Sequence, residues 1–228
     1  MKKLLIVGMM CLVGQLHAQA LLSPMQDNAL MFLKSAKVTT MDHQEVDGLN
    51  FKSCSSSNGR LKSFTLKKED GSKQKFKAEQ VEKVVVEPKG QAKLIMSSEN
   101  ASLVSTLKKD YSGIANTKYI TFERVEYKKG KFALLQLLDP QIDEHVKVYL
   151  DPNAKKTTNF GGIVGGDYKE FFAKKGDMTI YLKKSKYKKQ WRELFGDNAK
   201  FCQMMEDGTL SPKIKDLAYH IAVYNETI

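Results

Sequence analysis

The chain has 228 residues, 42% apolar and 28% charged, and its 37 basic against 26 acidic side chains give a formal charge of +11. That balance supplies enough apolar surface for a buried core and excludes a disordered tail, and confinement of the long apolar run to the N-terminus excludes a multi-pass membrane protein. The same arithmetic contains no chemistry, so any function has to be read from the order of the residues.

Residues 1–20 read as a secretory signal peptide. Lys2 and Lys3 make a basic start, Leu4 to Val13 an apolar stretch, and Ala18-Gln19-Ala20 the small-x-small cleavage pattern. Cleavage is expected after Ala20, with Ala18 the second choice. The stretch is too short for a bilayer, which takes roughly twenty apolar residues, and Cys11 follows Met9-Met10 inside it rather than a small residue at its end, unlike a lipid-anchored cysteine. Removing the segment with its two lysines leaves 208 residues at +9, enough for one large domain or two small ones. The expected destination is outside the cytoplasm, in the periplasm, at the outer-membrane surface or in the medium, with no transmembrane helix in the mature chain.

Only Arg60, Arg124 and Arg192 among the 37 basic residues are arginine. Nucleic-acid readers lean on arginine for bidentate contacts, so no nucleic-acid partner is expected, and a solvated lysine surface is the plain reading. Two cysteines remain in the mature chain, Cys54 in a Ser-rich loop and Cys202 in an apolar helical pattern. An oxidising compartment lets them pair, and a disulfide closing so long a loop contributes roughly 4 to 5 kcal/mol in the chain-entropy model. Two unpaired thiols fit the sequence as well.

From Lys37 to Pro88 the pattern is strand-like. Val38 to Met41, Gly48 to Phe51 and Phe64 to Lys67 precede Asp70-Gly71, a strong hairpin signal. The return strand Lys73 to Lys77 has only Phe76 on its apolar side and reads as an edge guarded by lysines, and Val84-Val85-Val86 reads as a buried strand stopped by Pro88. A short helix is expected around Ser102 to Lys109. Tyr119 to Tyr127 alternates imperfectly, and the nearly all-apolar run Phe132 to Leu138, bounded by Gly130 and Pro140, predicts a strand buried on both faces. Val146, Val148 and Leu150 alternate with Lys147 and Tyr149. Tyr168 to Phe172 and Met178, Ile180 and Leu182 write a last hairpin around Gly176-Asp177.

At Ser185 the period becomes helical. Tyr187, Trp191, Leu194 and Phe195 share one face, with Ser185 as the expected N-cap and Gly196 at the C-terminal position. Asn198 is placed to cap a second helix holding Phe201, Cys202 and Met205. Ser211-Pro212 is expected to open a third, with Ile214, Leu217, Ile221 and Tyr224 as its stripe. Strands first and helices last predict an α+β fold, antiparallel hairpins forming a sheet or roll over residues 21–184 with a helical region, 185–228, packed on it.

The Asp-Gly hairpin running into Phe76 to Pro88, the segment Tyr181-Leu182-Lys183-Lys184 to Trp191-Arg192-Glu193-Leu194-Phe195-Gly196-Asp197, and a last helix ending in Tyr224-Asn225 resemble small exported proteins of Bacteroidota. Such proteins often carry a cysteine directly after the Gly-Asp, where this chain has Asn198. The resemblance implies a compartment and an architecture, and no catalytic residue.

Gly161 to Gly166 is the densest glycine cluster, but neither G-x-G-x-x-G nor a P-loop is present and it leads toward a strand, so it reads as a loop and no cofactor is expected. Asp139, Asp143, Glu144 and His145, with Asp151 beyond the next strand, have the residue types of a metal or acid-base site, against which stands the reading of a polar turn. His43 falls in a turn and His220 beside the last apolar stripe. No G-x-S-x-G marks a serine nucleophile, and Ser53 to Ser57 reads as a flexible loop. The segment from Lys183 to Arg192 interleaves cations with Tyr187 and Trp191, and Lys184, Lys186, Lys188 and Lys189 are the candidate ligand-binding residues, suited to anionic polysaccharide or lipid headgroups. The sequence thus favours a non-enzymatic exported module that meets an anionic envelope component. The alternative is a hydrolase built on the carboxylates and histidine of 139–151.

Overall fold

The computed structural model describes residues 25, 32–57, 60–93, 118–138, 143–154 and 170–228, with the backbone alone at 50–57. The expected signal segment, the helix around Ser102 to Lys109, Asp139 and the glycine cluster at 161–166 lie outside these residues.

Every strand pairing among the described residues is antiparallel. The strands are β1 (Leu33–Thr40), β2 (Glu45–Gly48), β3 (Asn50–Ser57), β4 (Arg60–Lys67), β5 (Lys73–Lys77), β6 (Val81–Pro88), β7 (Ile120–Lys128), β8 (Lys131–Gln136), β9 (Lys147–Leu150), β10 (Glu170–Lys175) and β11 (Met178–Lys183). The first eight form a curled sheet in the order β2-β1-β6-β7-β8-β4-β3, with β5 paired to β4 alone. Asp70-Gly71 makes the β4–β5 turn as the sequence requires, Gly71 taking a φ of 83° that a side chain would strain. The other three form a small sheet, β11-β10-β9, whose edge meets the large one through a bridge between Leu137 and Tyr149.

Period-two alternation sorts the side chains into three cores. The hollow of the curled sheet holds Val38, Phe64, Leu66, Phe76, Val84, Val86, Ile120, Phe122 and Leu134. Phe76, the lone apolar residue of β5, stacks on Phe64 with ring centroids 5.3 Å apart. On the other face of β7 and β8, Val125, Ala133, Leu135 and Leu137 pack against Tyr149 and Phe172 of the small sheet. Within the run Phe132 to Leu138 the strand ends at Gln136 and is buried on both faces from Ala133, because Leu134 points into the hollow while Ala133 and Leu135 point at the second sheet; Leu137 adds an isolated bridge and Leu138 lies beyond the strand. The opposite face of that sheet, Val148, Leu150, Phe171, Ala173, Ile180 and Leu182, meets the C-terminal helices.

Those helices are α1 (Tyr187–Phe195), α2 (Ala199–Glu206) and α3 (Leu217–Thr227). Asn198 caps α2 as expected, its side chain accepting from the Phe201 amide at 2.9 Å. Two expected helix starts are corrected. The N-cap of α1 is Lys186, not Ser185, and α3 begins at Leu217 after a 3-10 turn at Ile214–Asp216, with Asp216 and not Ser211 at its cap. Neither Lys186 nor Asp216 makes a side-chain cap, so burial and not capping sets these starts. Gly196 does close α1, but in a right-handed conformation, and an added Cβ would collide with the Arg192 carbonyl oxygen.

Trp191 is 4% exposed and Tyr187, Leu194 and Phe195 are fully buried, so the apolar face of α1 is core. Replacing Trp191 with Ala should lower stability by roughly 3 to 5 kcal/mol, read as the shift of the urea-unfolding midpoint. A variant within about 1 kcal/mol of the wild type would show that this face does not hold the helix.

Candidate functional site

The segment that leaves β11 turns sharply before α1, and its geometry is fixed by one side chain. Gln190 accepts from the Lys183 amide at 3.0 Å and donates to the Tyr181 carbonyl at 2.9 Å, stitching α1 to the end of β11. The Lys186 amide closes the turn on the Lys183 carbonyl at 2.9 Å. With Tyr187 and Trp191 held inward, Lys184, Lys186, Lys188 and Lys189 are all exposed. None of the four forms an ion pair among the described residues, whereas Arg192, one turn beyond Lys188, is engaged by Glu206 at 2.8 Å. No acid stands in the first turn of α1. Four cations therefore gather at the positive end of a helix dipole, an arrangement that is locally unfavourable and that anions relieve. The aromatic residues interleaved with the lysines take no part in this surface.

The carboxylates proposed for acid-base work go elsewhere. Asp151, at the end of β9, is fully buried and accepts both arms of Arg60 from β4, at 3.1 and 2.9 Å. The Tyr181 hydroxyl lies 2.9 Å from Asp151 and 2.8 Å from Glu170, and the Arg60 guanidinium sits 4.5 Å above the Tyr127 ring. Burial, reinforced by both carboxylates, pushes the Tyr181 phenol far above its ordinary range. This cluster ties the small sheet to the large one. Asp143 stands 4.0 Å from Lys147, whose ammonium lies 2.9 Å from Glu123, and Glu123 also accepts from the Tyr149 hydroxyl at 2.6 Å. Glu144 and His145 pair with each other at 3.8 Å, near the surface. Among the described residues no three His, Cys, Asp or Glu side chains gather as a metal site. His43 lies in a turn, exposed, 3.2 Å from Glu82.

Cys202 is half-buried on α2 with its Sγ 3.8 and 3.7 Å from the carbonyl oxygens of Phe195 and Gly196. The side chain of Cys54 lies outside the described residues, and its pairing with Cys202 stands as an expectation. The Ser53–Ser57 segment is strand, not loop.

The sequence places His220 beside the last apolar stripe and gives it no role; its burial and its partners appear only in the fold. It is fully buried in α3, stacked between α1 and α2, with Nδ1 2.7 Å from the Tyr187 hydroxyl and the rings of Phe195 and Phe201 at its edges. Among the described residues its Nε2 makes no hydrogen bond of ordinary geometry. Burial lowers the imidazole pKa to about 4, against a smaller upward pull from Asp216 and the Ser211 backbone. The α3 pattern is apolar almost all round, so nothing in its spacing separates this histidine from its neighbours.

No protein-family model, curated protein or solved structure matches the chain. No helix among the described residues is long and apolar enough to cross a membrane.

Two outcomes follow from the buried groups. His220 binds protons less readily folded than unfolded, so its contribution is complete above about pH 6.5, the unfolded value, and is lost as pH falls toward about 4. Chemical-denaturation midpoints should fall across that window in the wild type and less steeply in His220→Gln; parallel pH curves would show that the histidine does not contribute. Arg60→Met strands the buried Asp151 charge and should cost about 3 kcal/mol, while a change below about 0.5 kcal/mol would mean that the sheets are held together without it.

Proposed function

We propose that this protein is an exported, non-catalytic module whose work is to hold an anionic component of the cell envelope on the lysine face of α1. The observation that carries the reading is the division of α1 into two faces. Tyr187, Trp191, Leu194 and Phe195 are committed to the core, and Lys184, Lys186, Lys188 and Lys189 stand exposed with no carboxylate partner among the described residues. Export, with a mature chain beginning at Leu21, is supported by Lys2-Lys3, the short apolar stretch and Ala18-Gln19-Ala20. Lysine suits such a role because its ammonium is a compact point charge that meets anions of many shapes without demanding a planar fork.

Binding of this kind is electrostatic and is screened beyond about 8 Å at physiological salt. Purified protein titrated against a panel of anionic vesicles and acidic polysaccharides should bind at least one class at low salt and much more weakly at physiological salt. Replacing the four lysines together with Gln should abolish that binding and leave the unfolding midpoint in place, since exposed charges contribute little to stability. Absence of salt-sensitive binding to every member of the panel would refute the reading, as would an exported form that retains Met1 on N-terminal sequencing.

A further inference from the structure

Resting on that reading, we infer that the lysine face takes an extended acidic polysaccharide, a chain of uronate-like carboxylates, and not a lipid bilayer. A helix that lies in a membrane interface does so by sinking its apolar face among the acyl chains, with basic side chains above it and aromatic residues at the boundary. The sequence of α1 has all these parts. In the folded protein they are already used: Trp191 packs its ring 6.1 Å from that of Phe201, Tyr187 is hydrogen-bonded to His220, and Leu194 and Phe195 are fully buried. What remains outside is charge alone. The exposed side chains of this stretch are Lys184, Ser185, Lys186, Lys188, Lys189, Arg192 and Glu193, with no apolar group among them.

The shape of the charged patch points the same way. Lys184 and Lys186 lie in the turn before α1 and Lys188 and Lys189 in its first turn, so the four cations fall within six consecutive residues. A flexible chain of carboxylates can fold several charges around so short a segment. Glu193 and Glu206 stand toward the far end of α1, where Glu206 holds Arg192 at 2.8 Å and places opposing charge. The free cations are thus confined to the β11 turn and the first turn of α1. Gln190 holds that turn in one geometry through both its amide groups, so binding a chain there orders little of the protein.

The test uses the exported full-length mature protein, polygalacturonate as the polymer, and vesicles of phosphatidylcholine and phosphatidylglycerol in equal amounts. Isothermal titration at low salt should show binding to polygalacturonate, with weak or undetectable association to the vesicles in a flotation assay. Replacing Lys184, Lys186, Lys188 and Lys189 with Gln should lower polymer affinity by on the order of a hundredfold, roughly threefold for each exposed charge. Gln190→Ala, which leaves every charge in place but frees the turn, should give a smaller loss. Lysine-dependent binding to the vesicles in preference to the polymer would overturn the polysaccharide inference while leaving the anionic-surface reading standing. Failure to bind either one overturns the inference, and failure across the wider anionic panel overturns both. Polymer binding that survives the four substitutions would overturn the assignment to this face.

Discussion

The burial of one helical face decides what the surface of this protein can do. Tyr187, Trp191, Leu194 and Phe195 close the apolar side of the small sheet, and α2 and α3 then pack around them through Phe201, Ile221 and Tyr224. Each of these large side chains removes enough apolar area from water to stabilise the fold by about 1.5 to 3 kcal/mol. That commitment fixes the rotation of α1 about its axis, and the rotation brings Lys188 and Lys189 out to solvent, while the turn held by Gln190 carries Lys184 and Lys186.

The second constraint is the join between the two sheets. An apolar interface of Val125, Leu135, Tyr149 and Phe172 would tolerate sliding, since dispersion contacts have little direction. The bidentate pair of Arg60 with Asp151 and the hydroxyl of Tyr181 between Asp151 and Glu170 have direction, and they fix one register. Lys175 does the same on the helical side, reaching Asp197 at 2.6 Å and the Leu194 carbonyl at 2.7 Å while its ammonium sits 4.5 Å over the Tyr224 ring. These polar clusters take up carboxylates and cations that, read in sequence, look available for chemistry.

Local patterns carried most of the architecture into the sequence. Alternation in β9 to β11, the Asp-Gly turn and the i, i+4, i+7, i+8 spacing in α1 each follow from side-chain direction within one element, so they are legible without knowledge of neighbours. What was not legible depends on distance along the chain. Arg60 and Asp151 are 91 residues apart, and no composition rule pairs them. His220 and Tyr187 are 33 residues apart and meet only because α3 is buried on nearly every side. The expected caps at Ser185 and Ser211 failed for a related reason: a serine can cap only where the chain bends into the helix, and the sheet edge and the 3-10 turn at Ile214–Asp216 set those points. The lysine face was legible as a list of residues. Its separation from the aromatic residues beside it was not, because that depends on which face the sheet claims.

Trp191 is the single tryptophan of the chain, which makes its fluorescence a direct report on the division of α1 into a core face and a solvent face. Quenching by acrylamide, measured on the native protein alone and after saturation with an anionic partner, tests that division. The account predicts a Trp191 well shielded from the quencher in both states, with full access only after unfolding. Ready quenching of the native protein, or a shift of the emission into a lipid-like environment when anionic vesicles are added, would show that the aromatic face of α1 is not locked in the core and would contradict the account at its centre.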